Sequence, residues 1–321
     1  MSVDSSNGRS RPTTRGWTLG LGPVSATWLG LLALPTLLGF VGGWWWPFDL
    51  LAHFRVQYLV IALVMVAVFA WRRSRAATLG AAVLALMNAA PVASSWLGAA
   101  AEGAPALRLL SANVNSANTG YAALSEEIAR SKPDVVVVLE VSAGWASALE
   151  GLTDYPVREV VARGDNFGIA VLSRGPMDAE VVHLGGPDGV PSIVARLDRG
   201  RPLTLVATHP VPPTGAGGTA ERDAQLVAVA EVARASGPNV VVVGDLNTTP
   251  WAASYGILTD AGLEDTRTGH GLQATWPAGF LPLAIPIDHC LVTPSLGAAR
   301  REVLDDVGSD HYPILVDLVW R

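Results

Sequence analysis

The sequence predicts two bodies in series: three membrane-spanning helices, then an α/β domain in which helices cover two packed sheets. Three observations carry this. The mean hydropathy of +0.35 is high for a purely soluble chain of 321 residues, and the excess lies in roughly the first hundred. Those residues hold three apolar stretches, each near the roughly 20 residues that cross a bilayer. From Leu107 onward the pattern changes to short β-rich runs separated by turns and amphipathic helices.

Residues 1–16 are polar, rich in Ser, Thr, Gly and Arg, and read as a disordered cytoplasmic tail. The region 17–98 follows, with expected spans from about Trp17 to Phe40, Leu50 to Trp71 and Ala76 to Leu97. Pro35 and Pro91 fall inside two of them, where membrane helices tolerate proline. Trp44, Trp45, Trp46 and Trp71 sit where an interfacial aromatic belt belongs. A cleaved signal peptide explains the first stretch poorly, because further apolar stretches follow and no small-residue cleavage motif closes it. Arg9, Arg11 and Arg15 precede the first span, while Arg72, Arg73 and Arg75 lie between the second and third. By the positive-inside rule both clusters are cytoplasmic, so three crossings put the rest of the chain outside the cytoplasm, in a multi-pass protein of the cytoplasmic membrane. Arg55 is the residue that argues against this arrangement.

Residues 101–321 are expected to form the catalytic domain. Strands are predicted at Val135 to Leu139, Val190 to Leu197, Leu203 to Thr208, Val240 to Val243, Ile287 to Val292 and Ile314 to Val319. Helices are predicted at Tyr121 to Arg130, Thr219 to Ala235 and Trp251 to Asp260. Runs such as Val135 to Leu139 are apolar on both faces, which suits sheets covered on both sides. After Ala100 the chain carries 15 basic and 26 acidic residues, so it lacks the broad positive field that attracts nucleic-acid phosphates, and duplex nucleic acid is a disfavoured substrate. Cys290 is the only cysteine, which excludes an intramolecular disulfide and a multi-cysteine zinc site; it reads as a small buried strand residue.

Polar residues recur where apolar strands stop. Asn113 follows Leu109 to Ala112, Glu140 follows Val135 to Leu139, and His209 follows Leu205 to Thr208. Asp245 and Asn247 follow Val240 to Gly244, Asp288 lies in Pro286-Ile287-Asp288-His289, and Asp310-His311 precedes the final strand. Singly these are ordinary turn residues or structural histidines. Glu140 is harder to place so, since a carboxylate directly after an apolar run needs a partner or a metal. Strand ends present such groups to a shared cleft. No phosphate-cradling Gly-x-x-x-x-Gly-Lys loop, His-Glu-x-x-His helix or Gly-x-Ser-x-Gly elbow competes with them. The glycines of Gly215 to Gly218 have no following lysine and read as loop flexibility.

The series Ser111-Ala112-Asn113-Val114-Asn115, Leu139-Glu140, Thr208-His209-Pro210, Gly244-Asp245-Leu246-Asn247, Ile287-Asp288-His289 and Gly308 to Pro313 resembles the endonuclease/exonuclease/phosphatase superfamily, in that family's order. Phe167 to Arg174 and Thr275-Trp276-Pro277 are similar to further family segments. The resemblance implies a four-layer α/β/β/α sandwich of the DNase I-like kind and a metal-dependent hydrolase of phosphate esters. It implies a Mg²⁺ or Mn²⁺ ion on Asn113 and Glu140, oxygen donors that suit hard cations, with Asp310 adding a metal or water contact. His311 is then the base or phosphate-polarising group, oriented by Asp288. Asp245 and Asn247 position the nucleophile or phosphoryl oxygens, and His209 contacts the phosphate or leaving group. Whether Asp245 or His311 takes the water proton stays open, and Asn166 and Arg222 are secondary phosphate contacts.

A short membrane anchor before this domain also resembles bacterial membrane proteins associated with teicoplanin resistance, which favours a lipid-linked phosphate as substrate over other phosphorylated small molecules. Phe280, Leu281 and Leu283 belong to an apolar stretch just before Asp288 and are expected to touch the bilayer. An exported nuclease and a catalytically silent membrane binding module are the alternatives; the latter would be marked by loss of Glu140, Asp245 or His311, all of which are present. Nothing in the sequence specifies an oligomeric state.

Overall fold

The structure, a computed structural model, describes residues 17, 20–186 and 189–321, so the tail expected over 1–16 lies outside the described residues. Helix α1 (Pro23–Leu38) runs on through a 3-10 segment to Trp44, then come α2 (Trp46–Ala52), α3 (Arg55–Trp71) and α4 (Arg75–Ala93). Two of these helical stretches are long and apolar enough to cross a membrane, Pro23–Trp44 and Arg75–Ala93, each enclosing its proline as anticipated.

The expected middle span is not one helix, because α2 and α3 meet at a bend of 61°. Asp49 supplies the physical reason. Its carboxylate accepts from Arg222 Nη2 at 2.8 Å and from Ser254 Oγ at 3.0 Å, so α2 is drawn sideways onto the α/β domain. Helix α3 is left with 17 residues, about 26 Å at the helical rise.

Arg55 is buried among the helices and satisfied there. It donates to Thr36 O and to Asn88 Oδ1, and its guanidinium stacks 3.7 Å from the Phe40 ring centroid. A charge in an apolar bundle is tolerated when it faces inward onto such partners.

The two ends of the bundle differ. At one end the Arg75 guanidinium lies 6.0 Å from the Trp17 ring, bringing the start of the described chain beside the α3–α4 turn. At the other, Ser95 Oγ accepts from Arg267 at 2.8 Å and His53 O accepts from Trp251 Nε1 at 3.2 Å, so that end abuts the α/β domain.

That domain runs β1 (Ala104–Asn113), α5 (Tyr121–Ser131), β2 (Val135–Leu139), α6 (Ala143–Glu150), β3 (Val157–Val161), β4 (Ile169–Ser173), β5 (Met177–His183), β6 (Pro191–Asp198) and β7 (Pro202–Ala207). It continues with α7 (Ala216–Ala235), β8 (Val240–Asp245), α8 (Ala253–Thr259), β9 (Glu264–Asp265), β10 (Asp288–Val292), β11 (Leu296–Val303) and β12 (Ile314–Trp320). Two six-stranded sheets result, in the orders β11-β12-β1-β2-β4-β3 and β5-β6-β7-β8-β10-β9.

The double-sided valine runs explain the layering. Val135, Val137 and Leu139 enter the core between the sheets with Val241 and Val243. Val136 and Val138 face outward under Leu124, Ile128 and Trp145 of α5 and α6. Val240 and Val242 do the same under Leu226, Val229 and Leu258 of α7 and α8. Side chains alternate across a strand, so only strands apolar at every position can be covered on both faces. Strands β3 and β5, absent from the sequence-based expectation, are edge strands that are at most half-buried and carry polar residues among the apolar ones.

Candidate active site

Strand register assembles the site. Parallel β1 and β2 pair Asn113 with Leu139, which sets Asn113 beside Glu140 at the same sheet end. Antiparallel β8 and β10 pair Asp245 with Asp288. Gly244, at φ +146°, lets the chain after β7 press against β8: a Cβ there would meet Thr208 O at 1.9 Å, so a larger residue would push His209 away from Asp245. Asn115, Glu140 and Asn247 adopt left-handed backbone at φ +57°, +62° and +50°. For Glu140 this is a strained conformation, worth on the order of 1–3 kcal/mol, of the kind that collects at functional sites.

Asp245 sits at the centre. Its Oδ2 is 3.4 Å from His209 Nε2 and 3.6 Å from His311 Nε2, and accepts from Asn113 Nδ2 at 3.2 Å. Its Oδ1 accepts from the backbone N–H of Asn247 at 3.0 Å. His311 Nδ1 meets Asp288 Oδ2 at 2.9 Å. Burial works against charge on His311, but Asp288 and then Asp245 outweigh it and push its pKa up to about 10. Burial likewise opposes the Asp245 carboxylate, yet His311 and His209 hold its pKa down to about 2. The buried Nδ1 of His209 has no hydrogen-bond partner among the described residues.

Donor chemistry fits a divalent cation. One atom each of Asp245, Asp288 and His311 lie within 4.8 Å of one another, a grouping able to hold a metal ion. The gap beside it, between Glu140 and Asp245, offers a second set of donors. There Asn113 Nδ2 is the donor between Glu140 Oε1, at 3.1 Å, and Asp245 Oδ2. Asn113 Oδ1 accepts from the Asn115 N–H at 3.1 Å, so an all-oxygen set of the kind hard cations prefer would require the Asn113 amide to turn and give up that bond. Asp310 stands exposed at the rim, its carboxylate held by Asn115 Nδ2 at 2.9 Å and Trp276 Nε1 at 3.2 Å.

These groups open into a cavity of about 740 Å³. Glu140, His209, Asp245, Asn247, Asp310, His311 and Asn166 all line it, and Asn166 Oδ1 accepts from Ser116 Oγ at 2.7 Å. Arg222 does not, which corrects its expected place among the phosphate contacts. It is wholly buried, its guanidinium spent on Asp49, Asp223 and the Asn247 carbonyl, so it braces the Asn247 loop from behind.

Other wall residues were not anticipated. Phe167 and Trp276 face His209 and His311 across ring separations of 5.7 and 6.4 Å. Leu50, His53 and Phe54, from the bend between α2 and α3, close one side. A signal was present: His53 is the one histidine of the first hundred residues, set in an otherwise apolar run. Phe280, Leu281 and Leu283 are 52%, 82% and 48% exposed, so this part of the apolar stretch stays outside the sandwich, whereas Ile285 to Ile287, next to Asp288, are buried.

Comparison with known proteins agrees with this architecture. The model of the Endonuclease/Exonuclease/phosphatase family matches residues 110–311. Among solved structures, D. rerio TDP2 complexed with single strand DNA product is 19% identical with a TM-score of 0.56, over 66% of this chain and 98% of that one. A mannosyl-6-phosphatase of Bacteroides thetaiotaomicron is 22% identical with a TM-score of 0.54, over 67% and 100%. The 3'-5' exonuclease of Neisseria meningitidis is 19% identical with a TM-score of 0.55, over 66% and 100%. At such identities these likenesses show the fold alone. No curated protein matches. The chain belongs to the Endonuclease/Exonuclease/phosphatase family and is, as such, a metal-dependent hydrolase of phosphate ester bonds.

Proposed function

We propose that the chain is a membrane-tethered phosphoesterase that hydrolyses a lipid-linked phosphate outside the cytoplasm, with Mg²⁺ or Mn²⁺ as its metal. The observation that carries this reading is the cavity wall built by Leu50, His53 and Phe54, because the apolar helical region itself closes the catalytic site. A lipid phosphate brings a charged head and an apolar tail together. This site sets a polar floor of Asp245, His209 and His311 against walls of Leu50, Phe54, Trp276 and Ile285.

In this reading Asn113 and Glu140 hold the metal, with Asp310 adding a contact from the rim. The metal, when bound, supplies Lewis acidity to a phosphoryl oxygen. Asp288 accepts from His311 Nδ1–H and so fixes which nitrogen faces the cavity, leaving Nε2 for the phosphate or its attacking water. His209, on the same cavity wall, contacts the phosphate or leaving oxygen, and Asn247, tied through its own N–H to Asp245, steadies the carboxylate that positions the water. Arg72, Arg73 and Arg75, at the α3–α4 turn away from the α/β domain, support an extracytoplasmic site.

The test is Mg²⁺-dependent phosphate release by wild type and His311→Ala from lipid phosphates, lipid pyrophosphates, sphingomyelin and short DNA. Release from a lipid that falls about 10²- to 10⁴-fold in the variant supports the proposal. Cleavage of DNA alone replaces it with the nuclease, and silence throughout replaces it with a binding module.

A further inference from the structure

A second cavity, of about 680 Å³, lies against the catalytic one. Val56, Val60 and Ile61 of α3 form one side and Leu281, Leu283 and Ala284 the other. Among the described residues no charged side chain lines it; Gln57 and Gln273 are its polar members. The two cavities share a wall. Ile285 and Ile287 line the catalytic side, whereas Ala284 and Pro286 line the apolar side, as alternation along an extended segment requires. On the facing helix Phe54 closes the catalytic cavity, and Val56 and Gln57 begin the groove within a turn of it. Gln57 Nε2 donates to Ala284 O at 3.2 Å and pins the two sides together at this seam.

Val60, Ile61, Leu281 and Leu283 remain about half or more exposed along the groove, an apolar surface that water wets poorly. Its volume falls in the roughly 300–1,000 Å³ range of ligand sites. It opens on α3, a helix whose Leu63, Val64 and Val68 are also exposed, so it lies at the level of the hydrocarbon-compatible bundle.

We infer that this groove seats the hydrocarbon tail of the substrate, which leaves the catalytic cavity over Phe54 and Ile285 and lies between α3 and the Leu281–Pro286 segment. The inference rests on the phosphoesterase reading and adds a tail-binding subsite that selects long-chain over short-chain phosphates. An occupant of this chemistry must be apolar over most of its length, since no ion pair in the groove rewards a charge, and it must carry one anionic end to reach His209 and His311. A hydrocarbon chain ending in phosphate meets both requirements, whereas a peptide or nucleic-acid strand, polar along its whole backbone, fails the first.

The experiment follows phosphate release from n-alkyl phosphates, butyl to decyl, by the full chain in phosphatidylcholine nanodiscs with Mg²⁺, below micelle-forming concentrations. Wild-type kcat/KM is expected to rise roughly two- to fourfold per added methylene, the gain from burying each one. Val60→Trp and Leu283→Trp, which fill the groove from opposite sides, should flatten that rise and lower the decyl-to-butyl ratio. Leu283 is exposed, so its variant keeps the test valid if the helix substitution fails to fold. Leu79→Trp, on the outer surface of α4, should match wild type across the series. A flat wild-type series, or an unchanged slope in both groove variants, overturns the subsite and leaves the hydrolase intact. Release from DNA without release from any alkyl phosphate, or no release at all, overturns the underlying reading and the subsite together.

Discussion

Two buried polar clusters, each centred on an aspartate, have opposite fates in this molecule. Around Asp49, every group is closed off: Arg222 and Ser254 satisfy both carboxylate oxygens, and Asp223 and the Asn247 carbonyl take up the rest of the guanidinium. Around Asp245, the network is left open. His209 keeps a free Nδ1, Glu140 is held in left-handed backbone, and a cavity lies over the group. Closed pairing turns buried charge into a joint between the helical region and the sandwich, while incomplete pairing leaves charge that a substrate or metal can complete. The joint also touches the site, because Arg222 donates to the Asn247 carbonyl at 3.2 Å.

The sharpest way to break the contrast is Asp49→Ala. It leaves Arg222 with only the half-buried Asp223 as counter-charge, a loss of at most about 3–5 kcal/mol in stability, read as a lower Tm. If the cluster is a joint, phosphate release by the remaining folded protein changes far less than in His311→Ala. Activity lost without any fall in Tm would make Asp49 a participant in the chemistry and erase the distinction.

A smaller effect separates the clusters by pH. The folded pKa of His311, about 10, lies above its ordinary 6.5, so its contribution to stability is complete below about pH 6.5 and fades as pH climbs toward 10. Asp245, held down to about 2, contributes above its ordinary 3.8 and loses that contribution only as pH falls through 2. Unfolding of metal-free protein should therefore show declining stability between about pH 6.5 and 10, and His311→Ala should flatten that decline. An identical slope in the variant would place the titration elsewhere. Smallest of all, Asn166→Ala removes one rim hydrogen bond to Ser116, of about 1 kcal/mol, and should lower kcat/KM by no more than about tenfold with Tm unchanged.

Much of both regions was legible in the chain. Apolar length and arginine spacing set out a membrane-compatible bundle, and the unbroken valine runs called for sheets covered on both faces, because period-two alternation leaves no other way to bury them. Polar residues at strand ends marked the groups that the fold brings to one candidate site, since an Asn, Asp, Glu or His directly after an apolar strand has few structural uses at so many ends at once. Local pattern carried that information, and local pattern is what a sequence displays.

What it could not display was pairing across distance. Asp49 and Arg222 are separated by 173 positions, and only the packed structure turns one into the other's counter-ion, bends the middle helical stretch by 61° and removes Arg222 from the phosphate contacts. The same packing carries Leu50, His53 and Phe54 into the catalytic wall and sets the α3 groove beside Ile285. Hydrophobic periodicity fixes which face of a helix is apolar, but which surface that face meets depends on shape and on buried charges finding partners, and those exist only once both regions have folded against each other.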